Sequence, residues 1–472
     1  MNPEKKSIEL PEKYMEKMRR LLGETELKAY LTCMEEETFR GIRLNPLKVT
    51  EDCRAGVLSS ADARTEEPVP WSDSLGYYYE KTGMPARHPY YYGGLYYLQE
   101  PSAMAPGAIL PVEPGDRVLD LCAAPGGKST QLGARLAGSG FLLSNDISAS
   151  RANGLLKNLE RFGIGNILVS SEEPERLLHN FPVYFDKILV DAPCSGEGMF
   201  RREPSMIRSW TEKGPEHYIP IQKELLRCAC GMLKPGGMLL YSTCTFAEEE
   251  DEDNIEWICE EIPELEPVPV PLKYGFVQGS DGASIRLFPW RLSGEGHFLS
   301  LLRKKGSPDF DSRETRQACS ADMEKNNRDF LKKREELAGF LKLVHRPVEK
   351  EGYFWEREGQ VYLLPIPREK LPPIRFLRTG LLLGTLKKNR FEPSQALAMY
   401  LKKEEFENGV DFPSEDLRTV KYLKGETVEA DNAVIWGKDG WCLVCTDGYP
   451  LGFAKRSRMT LKNKYYPGWR WQ

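Results

Sequence analysis

The segment 117–130 reads RVLDLCAAPGGKST, and its order decides the fold. Arg117 to Asp120 is predicted as a short buried strand, Leu121 to Lys128 as a turn of small residues, and Ser129 to Leu136 as a helix. Strand, glycine turn, helix is a nucleotide-binding order. Small residues admit a ligand close to the backbone, and the N–H groups that open the helix offer partial positive charge to a carboxylate or phosphate. The turn is neither G-x-G-x-x-G nor a Walker A loop, because Lys128 follows Gly126-Gly127 without the upstream glycine. Both departures count against dinucleotides and nucleoside triphosphates.

Four more apolar segments follow at the spacing of alternating strands and helices. Residues 140–144 end in Asn145-Asp146, 166–170 in Ser171-Glu172-Glu173, 185–190 in Asp191, and 238–241 in Ser242-Thr243-Cys244. A parallel sheet binds its ligands outside the carboxyl ends of the strands, so these residues should converge on one crevice. Asp146 is placed to accept hydrogen bonds from ribose hydroxyls. The alternative is an acid at the N-terminus of a helix over 147–156.

Two cysteines stand where strands of this unit run out, Cys194 in DAPCSGEG and Cys244 in YSTCTF. Carbon 5 of cytosine is a poor nucleophile, but a thiolate adding at carbon 6 turns it into an enamine that can take a methyl group from a sulfonium. A base must then remove the carbon 5 proton so that the thiol can leave. Amino-nitrogen methylation needs no thiol, and the Pro-Pro-aromatic motif that usually serves it is missing at Asp191-Ala192-Pro193-Cys194. The pair therefore points to a pyrimidine methyltransferase with S-adenosylmethionine as cofactor. Spacing does not choose the attacking cysteine, since DNA cytosine methyltransferases place theirs in a Pro-Cys motif comparable to Cys194.

LDLCAAPGGKST at 119–130, DAPCSGEGMFRR at 191–202 and YSTCTFAEEE at 241–250 resemble the Nop/Sun family of RNA 5-methylcytosine methyltransferases, most of all its bacterial small-subunit rRNA branch. RLNPLK at 43–48, YLQEPSAM at 97–104 and RLFPWR at 286–291 carry the resemblance over nearly the whole chain. The resemblance implies that Cys244 is the nucleophile and that Cys194 helps release the product. Asp191 would hold the Watson–Crick edge of the cytosine and touch the cofactor side, with Lys128 steadying the base or the acid. Cys122, Ala123, Ala124, Pro125, Gly126, Gly127 and Lys128, with Asp146, Glu173 and Asp191, would form the cofactor site. At Glu173 the chain departs from the family, carrying Glu172 and Glu173 side by side where one acid is usual.

A length of 472 residues suggests three or four domains. Residues 1–90 carry amphipathic helices over 12–22 and 24–34 and read as a small α+β positioning domain. Residues 91–305 form the Rossmann-like α/β catalytic domain, closing with strands over 284–288 and 297–302. Residues 306–372 read as a connector and small intermediate domain, with 304–328 lacking periodicity and a helix over 329–344. Residues 373–472 read as α+β, with a helix near 394–403 and strands at 433–436, 442–446 and 451–454; the resemblance makes this region a PUA-like RNA-binding domain. Gly294 to His297 reads as a hairpin turn entering a strand, and the acidic run Glu248 to Asp253 as a solvated first turn of a helix.

Eleven cysteines include only two close pairs, Cys228-x-Cys230 and Cys442-x-x-Cys445, with no partner pair at zinc spacing, so no metal is expected. Neither a signal peptide nor an apolar run near 20 residues is present, which implies a soluble, cytoplasmic protein without membrane contact. A monomer is expected. The net charge of −5 argues against a polycation that coats nucleic acid. Its distribution is uneven: residues 371–472 hold 17 Lys and Arg against 12 Asp and Glu. Lys455, Arg456 and Arg458 alternate with aromatic residues there, a mixture suited to phosphate contacts and base stacking. The expected partner is 16S rRNA or the assembled 30S subunit. DNA or small-molecule methylation, and an assembly factor with a vestigial site, are the competing classes; the basic module and the two cysteines argue against them.

Overall fold

The computed structural model describes residues 9–61, 63–307 and 313–471. Its centre is a sheet whose strands are β1 (Arg117–Asp120), β2 (Phe141–Asn145), β3 (Ile167–Ser170), β4 (Phe185–Asp191), β5 (Leu233–Thr243), β6 (Leu265–Val268), β7 (Val277–Gln278), β8 (Ile285–Leu287), β9 (His297–Lys304) and β10 (Phe376–Thr379). Their order is β7-β8-β9-β5-β4-β1-β2-β3-β10, with β6 paired to β9. Strands β1 to β5 are parallel, and β9 returns antiparallel to β5.

Alternation along the strands explains why both faces are covered. Leu119, Ile188 and Leu239 pack on one face with Leu226, Ala229 and Met232 of the helix Ile219–Met232. Their chain neighbours Val118, Leu189 and Leu240 pack on the other with Leu132 of α1 (Gly127–Arg135) and Leu155 and Leu159 of α2 (Ala149–Phe162). Side chains of successive strand residues face opposite ways, so a strand apolar throughout must be buried on both sides. Each fully buried Leu or Ile contributes about 1.5–3 kcal/mol. Ser148 caps α2 by accepting from Arg151 N, and Gly163 ends it at φ 77°.

Before this core, a four-stranded antiparallel sheet joins Gly41–Leu44, Ala63–Pro68, Gly76–Tyr79 and Tyr96–Gln99. The two predicted N-terminal helices fill Glu12–Met34 and meet at Gly23, whose φ of 69° and ψ of 174° are not helical. After the core come a four-stranded sheet, Tyr353–Arg357 to Arg390–Pro393, and a six-stranded one, Gly409–Phe412 to Thr460–Asn463.

Two expectations are corrected here. The stretch 304–328 is not an irregular connector: Arg313–Lys332 is helical, and residues 308–312 lie outside the described part. Asn327 anchors the helix by donating to the carbonyls of Glu349 and Gly352 at 2.7 Å and accepting from Phe354 N at 2.9 Å. The helix expected over 329–344 is split accordingly, its second part being Glu335–Leu341. The boundary expected between 372 and 373 does not separate domains cleanly either, because Tyr353–Arg357 and Gln360–Leu364 share a sheet with Leu381–Lys387 and Arg390–Pro393, and the strand between them, β10, closes the open edge of the catalytic sheet on β3. An uncovered edge strand offers unpaired N–H and C=O groups, and β10 satisfies them from the far side of the chain.

Candidate active site

The strand ends converge as a parallel sheet requires. A cleft of about 200 Å³ opens over β1 and β4, lined by Cys122, Ala123, Ala124, Pro125, Gly127, Lys128 and Asp191, with Asp120 beneath and Tyr97 to Glu100 and Ala103 along the opposite wall. Gly126 turns the loop at φ 109°, and a Cβ there would meet Leu155 Cδ1 at 3.1 Å, so only glycine lets the loop lie on α2. Arg43, fully buried, holds the loop from the N-terminal sheet: Nη2 donates to Gly127 O at 2.8 Å and Thr130 Oγ1 at 2.7 Å, and Nε to Gln99 Oε1 at 2.8 Å.

Lys128 Nζ donates to Asp191 Oδ2 at 2.5 Å, and Ser242 Oγ donates to Asp191 Oδ1 at 2.7 Å. Burial works against both charges, but each holds the other: Asp191 keeps the Lys128 ammonium above its ordinary value, and Lys128 keeps the Asp191 carboxyl below its own. Cys194 Sγ lies 3.3 Å from Cys244 Sγ and accepts from Cys244 N at 3.3 Å. The contact with Cys244, then burial, raises the Cys194 thiol well above its ordinary value. Cys194 is thus held as a thiol.

Behind the cysteines the acidic run 248–253 corrects the expectation of a solvated turn. Glu250, Asp251 and Glu252 are buried, while Glu248 and Glu249 face solvent. Glu250 accepts from Ser195 N at 3.0 Å, from Gln222 Nε2 at 2.8 Å and from Ser195 Oγ. Asp251 accepts from Thr243 Oγ1 at 2.6 Å, and both Asp251 and Glu252 pair with Arg286. These carboxylates brace the two cysteine loops against each other.

Asp146 is buried just behind the loop, accepting from Ala124 N at 3.3 Å and Ser148 N at 2.9 Å, with Arg151 Nη1 at 3.5 Å. It ties the Cys122–Lys128 loop to the residue that caps α2, Ser148. Glu173 is exposed ahead of the short helix Pro174–Asn180, whereas Glu172 is buried and receives the Arg375 N–H beside β10. Neither Asp146 nor Glu173 lines the cleft over β1 and β4.

Asp120 escapes the sequence reading, which takes His297 only as part of a turn. Asp120 is buried, donated to by Ser129 Oγ at 2.6 Å on Oδ2, while Oδ1 has no hydrogen-bond partner among the described residues; burial, opposed by Ser129 and assisted by Asp191, lifts its carboxyl to about 7. The signal was its place as the last residue of the first strand. His297 begins β9 after the expected turn, but its ring is buried, with Nδ1 2.9 Å from Ser102 Oγ.

The cleft suits S-adenosylmethionine. The unpartnered Asp120 Oδ1 and the nearby Asp191 can receive an ammonium, and the open N–H groups of α1 a carboxylate. Four stretches of the chain match families that divide it: the N-terminal domain of 16S rRNA methyltransferase RsmF at 10–101, 16S rRNA methyltransferase RsmB/F at 107–303, the RsmF first C-terminal domain at 339–401 and the RsmF PUA domain at 410–471. Ribosomal RNA small subunit methyltransferase F of Cronobacter sakazakii is 30% identical over 97% of this chain and 96% of its own length. The chain belongs to the RsmB/F family of 16S rRNA methyltransferases. Its relative in Shewanella amazonensis, also ribosomal RNA small subunit methyltransferase F, is 31% identical over 89% of this chain and 90% of that one. Among solved structures, a methyltransferase homolog protein from Pyrococcus horikoshii aligns at 28% identity and a TM-score of 0.52, covering 62% of this chain and all of the other. NSun6 from the same organism, solved with SFG, shares the fold at a TM-score of 0.56 and 21% identity over 63% of this chain and 99% of that one. The core and the appended PUA domain are therefore those of an RsmB/F methyltransferase.

The C-terminal basic residues are not equivalent. Arg456 is buried, donating to Gly437 O at 2.8 Å and pairing with Asp439 at 3.2 Å, which corrects its reading as a phosphate contact. Lys455 Nζ lies 4.9 Å from the centre of the Trp441 ring, and Arg458 is exposed in a turn. Phe453, Tyr465 and Trp469 are buried in the domain core, so they are closed to base stacking; Tyr466 is exposed.

Proposed function

We propose that this chain methylates carbon 5 of cytosine in small-subunit rRNA through a covalent adduct with Cys244. The observation that carries the reading is the pair of sulfurs 3.3 Å apart at adjoining strand ends, beside the Lys128–Asp191 ion pair. Bound S-adenosylmethionine supplies an electrophilic methyl group on a sulfonium. Cys122 to Lys128 with Asp120 and Asp191 would hold it, Asp146 acting on the loop from behind through Ala124 N and Glu173 lying outside the cleft. Cys244 adds through Sγ to carbon 6 of the target base, and the displaced electron pair makes carbon 5 the methyl acceptor. Asp191 and Lys128 hold the base by its Watson–Crick edge. Once carbon 5 carries its methyl, loss of its proton to a base and cleavage of the S–C6 bond restore the ring and free Cys244, with the Cys194 thiol assisting release.

In this reading the N-terminal sheet, to which Tyr96–Gln99 belongs so that the boundary expected at 90 moves past it, positions the substrate, the sheet β1–β10 catalyses, the sheet Tyr353–Arg357 to Arg390–Pro393 connects, and 410–471 hold RNA. The chain acts as a cytoplasmic monomer on 16S rRNA or the 30S subunit. Bisulfite sequencing of small-subunit rRNA from a strain lacking the chain tests this directly. At least one 5-methylcytosine should vanish and return with the wild-type gene but not with Cys244→Ala; an unchanged methylation map overturns the reading.

A further inference from the structure

A cavity of about 280 Å³ opens where the hairpin Tyr353–Leu364 meets the proline run that leads into β10. Its lining holds three arginines, Arg357, Arg368 and Arg375, with Trp355 and Phe376, and among the described residues no acidic one. Strand alternation builds the first wall. Along Tyr353–Arg357, Trp355 and Arg357 face the cavity, while Phe354 enters the core with Val361 and Leu383, and Glu356 pairs with Arg334 at 2.6 Å. The second wall is the stretch Leu371 to Phe376, in which Pro372 and Pro373 fix the backbone and bring no N–H of their own.

The three guanidinium groups keep most of their capacity. Arg375 is exposed, and its side chain has no hydrogen bond or ion pair among the described residues. Its backbone is clamped instead, the N–H donating to the Glu172 carboxylate and the carbonyl accepting from Ser171 N at 3.2 Å. Glu172 is buried and also meets Arg176 Nη1 at 3.6 Å, so it does not neutralise the cavity. Arg368 Nη1 donates to Leu371 O at 3.2 Å, and its guanidinium carbon lies 5.5 Å from the centre of the Trp355 ring. Arg357 has only Glu358, at 3.7 Å, with the two side chains 67% and 84% exposed, a pair that costs little to give up.

Like charges gathered on a concave surface raise its positive potential, and the planar fork of arginine matches phosphate. The volume is near the lower end of small-ligand sites, roughly 300–1,000 Å³, which suits a single nucleotide. Unpaired nucleotides of this kind are what RNA loops and bulges offer to aromatic and arginine side chains. Position favours the same ligand. Phe376 lies opposite Ser170, so Arg375 stands at the carboxyl end of β3, on the edge of the sheet where the cleft over β1 opens. Three strand spacings of about 4.8 Å separate β10 from β1, roughly 14 Å, so RNA lying over the cleft can extend to the cavity.

We infer that this cavity is a substrate-binding site that takes one unpaired nucleotide of the rRNA, with Arg357, Arg368 and Arg375 meeting phosphate and Trp355 meeting the base. The inference rests on the rRNA reading above and gives the connecting sheet a part in holding the substrate.

The test measures binding of the full chain to unmethylated small-subunit rRNA at several salt concentrations, with thermal unfolding and S-adenosylmethionine affinity as checks on folding. Replacing Arg357, Arg368 and Arg375 together with glutamine should weaken binding and lower the slope of log K against log salt by about 1 for each arginine that meets a phosphate. Trp355→Ala should weaken binding about 5-fold or more with the slope unchanged, and Trp355→Phe should recover most of the loss. Affinity and slope unchanged in the triple variant overturn the inference, as does a loss that appears only together with lowered melting temperature and cofactor affinity. Equal rRNA affinity with weaker binding of the triple variant to the assembled 30S subunit would assign the cavity to an acidic protein surface and overturn it too. The two readings fail separately: the expected slopes without methyl transfer by wild type uphold the site and overturn the chemistry, whereas methyl transfer with equal slopes overturns the site alone.

Discussion

Cys194 Sγ is within 3.3 Å of both the sulfur and the backbone N–H of Cys244, so the two thiols occupy one patch of the site rather than opposite sides of a base. The pair is asymmetric. The loop 194–198 is fastened to the segment after β5 by the Gly198 N bond to Cys244 O at 2.9 Å and by the Ser195 N bond to Glu250 at 3.0 Å, so the backbones that carry the two sulfurs are held together.

Removing each thiol should therefore give opposite outcomes. Cys244→Ala should lower methyl transfer by at least about 10³-fold, as loss of a nucleophile does, while S-adenosylmethionine affinity persists. Cys194→Ala should instead accumulate a protein–RNA adduct, visible as a slow band on a denaturing gel. Normal turnover in both variants would remove the covalent mechanism.

Asp120 gives the cofactor site a pH dependence. Its carboxyl titrates near 7 in the free chain, so raising the pH through 7 creates a buried anion that a bound ammonium can neutralise. Cofactor affinity should rise over pH 6 to 8 in wild type and flatten in Asp120→Asn, as measured by calorimetry. The sign for folding is the reverse: the folded chain binds a proton there that the unfolded chain releases near 4, so stability without cofactor falls as pH rises from about 4 to 7.

Glu250 should matter for folding and catalysis together. Glu250→Ala strands Ser195 N and Gln222 Nε2 behind the cysteine loops and should cost about 2–4 kcal/mol in urea unfolding. Glu250→Gln, which keeps an acceptor oxygen, should recover about half of that. Equal stability of the alanine variant would show that the loops are held otherwise.

The sequence carries the parallel core well, because apolar strands ending in Asp120, Asp146, Asp191 and Cys244 leave few alternatives. It carries polar burial poorly. Glu250 and Asp251 sit in a run that looks solvated until Ser195, Thr243 and Arg286 are brought to it from other strands. The same holds for His297, whose turn residues Gly294 to Gly296 describe the backbone and conceal the ring's partner Ser102, 195 positions earlier. The strand β10 is hidden for another reason: four residues, Phe376 to Thr379, form it only because β3 offers an edge.

The C-terminal basic residues should separate by burial. Lys455 and Arg458 reach the surface of the PUA domain, so replacing both with alanine should weaken RNA binding and reduce the slope of log K against log salt by roughly 0.7 to 0.9 for each phosphate no longer neutralised. Arg456 is tied to Gly437 O and Asp439, so Arg456→Ala should leave the slope unchanged and lower the melting temperature instead. Binding curves at several salt concentrations, with thermal unfolding of each variant, distinguish these outcomes. A slope that falls with Arg456→Ala, or holds when Lys455 and Arg458 are both removed, would move the phosphate contacts off this strand and make the N-terminal domain the better candidate for holding the RNA.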